Sequence, residues 1–245
     1  MPRGPAKGRA TAAARRFDAY PRPSVAVDVV ALTVEKGSLR VALYERAEAP
    51  GRGMAALPGG FVRIDESLDD AAARLLRQKA GLEGCFLEQL YTFGDPRRDP
   101  RGRVIAVAYF ALIDRRRFLV RGEKTKTARV QVPWPGETGG PVDAIGDDGQ
   151  PLEMAFDHAD VLGLAVKRLR GKLDYTPVGF QLLPTDFTLR QLQDIHEAVR
   201  GDSVNKDSFR RRMLTSGMLE ATGARERDVL HRPAELYRFT RRSAV

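Results

Sequence analysis

The sequence predicts an α/β chain in two parts: strands and helices interleaved up to about residue 180, then a small unit of two helices and a β-hairpin. Three observations predict it. Two Val- and Leu-rich runs separated by Lys36 and Gly37 open the ordered chain at 24–34 and 39–44. A helical period of apolar residues appears over 68–80 and again over 156–172. After Leu182, Leu183 and Pro184 the pattern changes, which marks a domain boundary.

Each element has its own signals. Residues 51–60 form a Gly-rich loop. In the helix over 68–80, Leu68, Ala72, Leu75, Leu76 and Ala80 share one face. Ser67 is placed to cap it, Asp69 and Asp70 suit its first turn, and Gly81 stops it. Residues 86–92 and 104–113 read as further strands. Residues 115–151 carry Pro133, Pro135, Gly136, Gly139, Gly140, Pro141, Gly146 and Gly149, so loops are expected there, with at most short strands such as 128–132. The helix over 156–172 places Val161, Leu162, Leu164, Ala165 and Leu169 at core spacing.

In the last part, Thr188 caps a helix running to about Arg200, with Leu189, Leu192, Ile195, His196 and Val199 on one face and Gly201 at its end. A second helix over 206–215 turns Phe209 and Met213 inward, and Gly217 ends it. Strands over 218–222 and 235–239 flank a charged loop. Two short helices followed by a hairpin describe a winged helix-turn-helix. The expected division is a basic, disordered tail over 1–22, an α/β domain over 23–180 and the winged helix over 181–245.

With 245 residues and 42% hydrophobic content, the chain can bury one large core or two modest ones. Lys and Arg total 41 against 32 acidic residues, a net charge of +9, which suits a polyanionic partner. Such a balance also arises from genomic base composition, so motifs must decide. The tail carries Arg3, Lys7, Arg9, Arg15, Arg16 and Arg22 against Asp18 alone and lacks the apolar stretch of a secretory signal. Cys85 is the only cysteine, which excludes an intrachain disulfide framework and a zinc site with several thiolates, and fits a reducing cytoplasm. No apolar run reaches the roughly 18 residues of a membrane span, so no membrane partner is expected.

The segment GGFVRIDESLDDAAARLLRQKAGL, which begins at Gly59, resembles the Nudix box, G-x5-E-x7-R-E-U-x-E-E-x-G-U with U a bulky aliphatic residue. Gly60, Glu66, Arg74, Leu76, Gly81 and Leu82 match. The resemblance implies a Nudix-like α/β/α sandwich with a mixed sheet between helices, over about residues 24–169. The mismatches are concentrated. Where the box has three glutamates on one helix face, this chain has Leu75, Gln78 and Lys79. Three carboxylates there would hold Mg2+ or Mn2+, and the metal would activate water and neutralise a diphosphate. An apolar group, an amide and an ammonium cannot, so neither a bound metal nor catalysis is expected. Lys79 instead offers a point charge to phosphate.

The following string, YTFGDPRRDPRGRVIAVAYFAL, packs Asp95, Arg97, Arg98, Asp99, Arg101 and Arg103 into one turn-rich loop, either an exposed hairpin or a rim that grips a diphosphate. Together with AFDHADVL at 155–162, LLPTDFTLRQLQDIHEAV at 182–199, FRRRML and RPAELYRF, it is similar to the NrtR family of Nudix-related transcriptional regulators. That resemblance covers nearly the whole chain beyond the tail. It implies a sensor domain for ADP-ribose or a related nucleotide, an operator-binding winged helix, a homodimer, and in many members repression of NAD synthesis or recycling genes. No cofactor is required. The nucleotide is expected against Gly59, Gly60, Phe61, Glu66, Lys79, Arg98, Arg101 and Arg103.

The residues themselves also point to double-stranded DNA. On the helix over 206–215, Ser208 and Arg211 lie opposite the buried Phe209 and Met213, with Arg210 and Arg212 flanking. Arginine can pair with guanine O6 and N7 while its neighbours grip phosphate. Thr188 and Lys206 at the helix starts, and Arg225, Arg227 and Arg232 in the hairpin, complete the expected DNA contacts. Arg238, Arg241 and Arg242 are phosphate contacts or plain surface. Among the histidines, His158 reads as a cap or dimer contact, His196 as core and His231 as a phosphate donor. The expected function is a ligand-responsive repressor. Two alternatives stand beside it: a hydrolase of ADP-ribose-like nucleoside diphosphates using carboxylates from elsewhere, such as Asp65, Glu66, Asp69 or Asp70, and a nucleotide-binding adaptor whose helices contact protein.

Overall fold

The structure, a computed structural model, describes residues 20–118, 125–173, 177–227, 230 and 232–240. Most of the expected tail, His231, Arg241 and Arg242 lie outside these residues.

Strand β1 (Ser24–Glu35) turns through Lys36 and Gly37, with φ of 49° and 71°, into β2 (Ser38–Glu45). Both turn residues in the left-handed region make the tight hairpin turn whose twist suits antiparallel strands. Short strands β3 (Ala55–Ala56) and β4 (Gly59–Phe61) follow, then β5 (Glu88–Phe93), β6 (Val104–Leu112), β7 (Thr125–Gln131) and β8 (Asp143–Ile145). The sheet order is β5-β6-β1-β2-β7-β8, with β3 on β2 and β4 on β1. The β1 and β6 pair is parallel and the others antiparallel, so the sheet is mixed. Strands β3, β4 and β8 were not foreseen, because two or three residues carry no period. Strand β4 takes the place beside β1 that β2 leaves after the turn, opening a gap in the sheet.

Helix α1 (Leu68–Ala80) is capped as its sequence dictates: Ser67 Oγ accepts from Asp70 N, and Gly81 closes it at φ 68°. It covers one sheet face through Ala72, Leu75 and Leu76, which pack on Val27, Val29 and Tyr109. Helix α2 (His158–Lys172) covers the other face through Val161, Leu162 and Leu169 against Val30, Leu32 and Phe110. The expected start at residue 156 shifts to His158, because Phe156 adopts φ 55° and cannot continue a right-handed helix.

A 3-10 turn at Pro177–Leu182 leads into α3 (Leu189–Arg200), whose Thr188 and Gln191 form a reciprocal capping box. Glu197 fixes the turn to α4 (Lys206–Thr215) by accepting from Gln193 Nε2 and Val204 N. Strands β9 (Leu219–Arg225) and β10 (Glu235–Phe239) form the antiparallel hairpin. Strand β9 extends past the expected residue 222, so Arg225 lies in the ladder opposite Glu235 rather than in the loop. The α2-side core runs on without a break into Leu183, Phe187, Leu192, Phe209 and Met213. The two parts are therefore packed on one another. Among the described residues, no helix is long and apolar enough to cross a membrane.

Candidate functional site

The gap between β1 and β2 becomes a pocket of about 70 Å3, lined by Asp28, Tyr44, Arg46, the Gly59–Phe61 strand, Arg98 and Phe156 with its neighbour His158. Gly59 is required there, since a Cβ would stand 2.3 Å from Asp28 Oδ1 and 2.8 Å from the Val27 carbonyl. Its wall is a buried charge network. Arg98 donates to Asp157 at 2.9 and 2.6 Å and to Asp28 at 3.2 Å, with only 6% of its side chain exposed. His158 Nδ1 accepts from Leu57 N at 3.0 Å, and its Nε2 stands 3.6 Å from Asp28. Burial opposes ionisation of Asp28, but His158 and Arg98 outweigh it and hold the carboxyl below its ordinary value.

The mouth is aromatic and cationic. Arg46 lies over the Phe156 ring at 4.6 Å, while Arg101 lies 5.6 Å from the Phe61 ring and 5.9 Å from Phe156. Flat rings beside guanidinium groups suit a ligand with a planar base and phosphate. A wider cleft of about 360 Å3 lies between Cys85, Arg116 and Gln181. There Arg116 is tied to Asp114 at 2.7 Å, and burial pushes the Cys85 thiol up, so that cleft offers less for an anion and no activated nucleophile.

Of the residues expected from sequence, the structure brings Gly59, Gly60, Phe61 and Arg98 to the pocket and Arg101 to its mouth. Arg98 is corrected from a ligand-gripping rim residue to a wall residue, because Asp28 and Asp157 already occupy its guanidinium. Arg103 donates to the Gly94 carbonyl at 2.7 Å and shapes its own loop. Glu66 is locked by Arg74, which donates to both carboxylate oxygens, and by Arg63 N at 2.8 Å. Arg74 first, then Arg63, holds the Glu66 carboxyl down to about 2. His158 is neither cap nor dimer contact but a buried wall residue. Tyr44, Arg46 and Phe156 were missed altogether.

The helix face that would carry metal ligands does not fit a hard divalent cation. Leu75 is 4% exposed and packs under Gly60, where a Cβ would stand 2.9 Å from Leu75 Cδ2. Gln78 accepts from Arg74 at 3.2 Å. Among the described residues there is no cluster of three or more His, Cys, Asp or Glu able to hold a metal.

At the far end of α2, Arg170 is buried and donates to the carbonyls of Val199 at 2.9 Å, Gly136 at 2.8 Å and Trp134 at 3.2 Å. The Val199 carbonyl is among the last four of α3, which have no partner within their own helix. One helix thus carries the pocket wall at its start and a cap for α3 at its end.

On the winged helix, α4 exposes Lys206, Ser208, Arg210, Arg211 and Arg212 and buries Phe209 and Met213. Asn205 Oδ1 caps it by accepting from Ser208 N at 3.0 Å. Arg210 leans on the Tyr237 hydroxyl and Arg212 on the Phe209 ring. No carboxylate pairs with Arg211 among the described residues. Arg225, Arg227 and Arg232 are exposed on the hairpin. Thr188 is corrected: its hydroxyl accepts from Gln191 N as the α3 cap, and at 4% exposed it is buried away from a DNA backbone. Arg238 is paired with Asp186 at 3.0 Å. His196 is core, packed edge-on against Phe209 at 4.9 Å between centroids.

Fold and site together define a Nudix-type domain joined to a winged helix. Residues 22–134 match the NUDIX domain family, and residues 179–239 match the NrtR DNA-binding winged helix domain. The chain is 36% identical over 222 residues, 90% of its length and 83% of the relative, to the ADPR responsive transcriptional repressor NtrR of Acinetobacter baylyi. It therefore belongs to the NrtR family of Nudix-related transcriptional regulators. Among solved structures it is similar to Shewanella oneidensis NrtR complexed with a 27mer DNA, at 33% identity, TM-score 0.70, covering 88% of this chain and 93% of that one. A MutT/nudix family protein from Enterococcus faecalis gives 26% identity and TM-score 0.76 with 95% of each chain covered. An ADP-ribose pyrophosphatase of Methanocaldococcus jannaschii is 35% identical over 95 residues, 39% of this chain and 54% of that protein.

Proposed function

We propose that this chain is an ADP-ribose-responsive repressor whose Nudix-type domain binds the nucleotide without hydrolysing it and whose winged helix grips operator DNA. The observation that carries the reading is the exposed Arg210, Arg211 and Arg212 run on α4, with Arg211 free of any acidic partner among the described residues. Arg211 at the centre of the outer face reads a base edge. Lys206, Ser208, Arg210, Arg212 and the hairpin residues Arg225, Arg227 and Arg232 contact phosphate. Two copies read paired half-sites as a homodimer. The regulated genes belong to NAD metabolism, and the chain works in the cytoplasm.

Phe61 and Phe156 flank the base, and Arg46 faces the diphosphate. The ADP-ribose assignment follows the Acinetobacter baylyi relative, a repressor described as ADPR responsive. A nucleotide seated in this open pocket bears on its walls. Phe156 and His158 belong to the start of α2, and Arg170 carries the displacement to α3. The nucleotide then favours the conformation that has lower affinity for DNA.

The test is selection of bound fragments from a pool of promoter duplexes at fixed salt, followed by incubation of the protein with Mg2+ and ADP-ribose. A shared palindromic sequence and no AMP release are expected. Duplex binding without sequence preference sinks the repressor reading, and AMP release at an enzyme's rate favours the hydrolase suggested by the pyrophosphatase relative.

A further inference from the structure

In Nudix enzymes a divalent cation brings the charge that meets the diphosphate. Here the face of α1 that would hold it carries Leu75, Gln78 and Lys79, and the first two are already occupied. Leu75 fills the space beneath Gly60, and Gln78 is held by Arg74. Glu66, the carboxylate that the box retains, is neutralised by the same arginine. Lys79 differs from these three. Its Nζ lies 4.7 Å from the centroid of the Tyr44 ring, and Tyr44 lines the pocket. No carboxylate pairs with Lys79 among the described residues.

Charge around the mouth is unevenly committed. Arg98 and Arg101 are both neutralised, by Asp28 and Asp157 and by Asp99. Arg46 donates to the Pro50 carbonyl at 2.9 Å and, like Lys79, meets no carboxylate among the described residues. Arg46 in the pocket lining and Lys79 against the Tyr44 ring are thus two cations without a carboxylate among the described residues, which matches the two negative charges of a diphosphate diester. A lysine ammonium resting on a ring keeps its N–H groups for another acceptor, and its four-carbon stem lets it swing from the ring face to phosphate.

We infer that Lys79 replaces the divalent cation, so the nucleotide's diphosphate binds this pocket without metal and against the Lys79 ammonium. The inference rests on the reading of the pocket as an ADP-ribose site. The test is calorimetric titration of ADP-ribose into the full chain, once with EDTA and once with Mg2+, for the wild type, Lys79→Gln and Lys79→Arg. The expected result is equal wild-type affinity in both buffers, about a tenfold loss in Lys79→Gln, as befits one hydrogen bond to a charged group, and a smaller loss in Lys79→Arg. Lys79 is exposed, so unfolding midpoints should not move. Wild-type binding that disappears in EDTA, or unchanged affinity in Lys79→Gln, overturns the inference while leaving the pocket assignment intact. Absence of ADP-ribose binding in both buffers overturns the pocket assignment and the inference with it.

Discussion

The loop after β5 and helix α4 are both arginine-dense, and they use arginine in opposite ways. In the loop, acidic residues are interleaved: Arg101 pairs with Asp99 at 2.7 Å, and Arg98 is drawn into the interior by Asp28 and Asp157. On α4 the arginines are consecutive, the nearest acid in sequence is Asp207, and the side chains face solvent. A buried arginine between two carboxylates holds the fold together, while an exposed arginine such as Arg211, with no acidic partner among the described residues, keeps its donors for a ligand. Local charge density looks similar in both segments. The partners decide which is structure and which is interface.

The largest expected effect comes from breaking the loop side. Arg98→Ala leaves Asp28 and Asp157 facing each other at a buried position, and removing one partner of a buried pair costs about 3–5 kcal/mol. Urea unfolding should show that loss, and a change below about 1 kcal/mol would place Arg98 with the ligand instead. Arg211→Ala sharpens the other side. It should weaken selected-duplex binding by about 1–3 kcal/mol and relax the preference at one base pair, with no change in the unfolding midpoint. Fluorescence anisotropy on wild-type and singly altered duplexes measures both.

A smaller effect concerns acid. Arg74 holds the Glu66 carboxyl at about 2 in the folded chain, below its ordinary value of about 4.3. Stability from this pair is fully present above the ordinary value and is lost as pH falls through about 2. Glu66→Gln should therefore flatten the acid limb of the stability curve and leave neutral-pH nucleotide binding unchanged. Thermal melts from pH 5 to pH 2 would reveal it, and an unaltered acid limb would count against the pairing.

Much of the fold was legible because its signals are local. Lys36 and Gly37 fix the first turn, Ser67 and Gly81 bracket α1, and Thr188 and Gly201 bracket α3. The degenerate helix face was equally legible, since box spacing fixes which residues share it. The pocket was legible only in part. Gly59, Gly60 and Phe61 lie within the motif, but Tyr44, Arg46, Phe156 and His158 reach it through contacts distant in sequence. The Leu57 to His158 bond spans 101 residues, and no local pattern announces such a partner. The same limit explains Arg98 and Thr188: sequence gives their chemical type, but only the packing shows that carboxylates and a helix end already use them.

For ADP-ribose to release DNA, the pocket at the start of α2 must govern the winged helix held at its end. The most direct measurement is anisotropy of a selected duplex bound to the full chain, titrated with ADP-ribose at fixed salt in EDTA. Release of the duplex over the same concentrations at which calorimetry shows ADP-ribose binding is the predicted result. A complex that keeps its anisotropy at saturating ADP-ribose would contradict it.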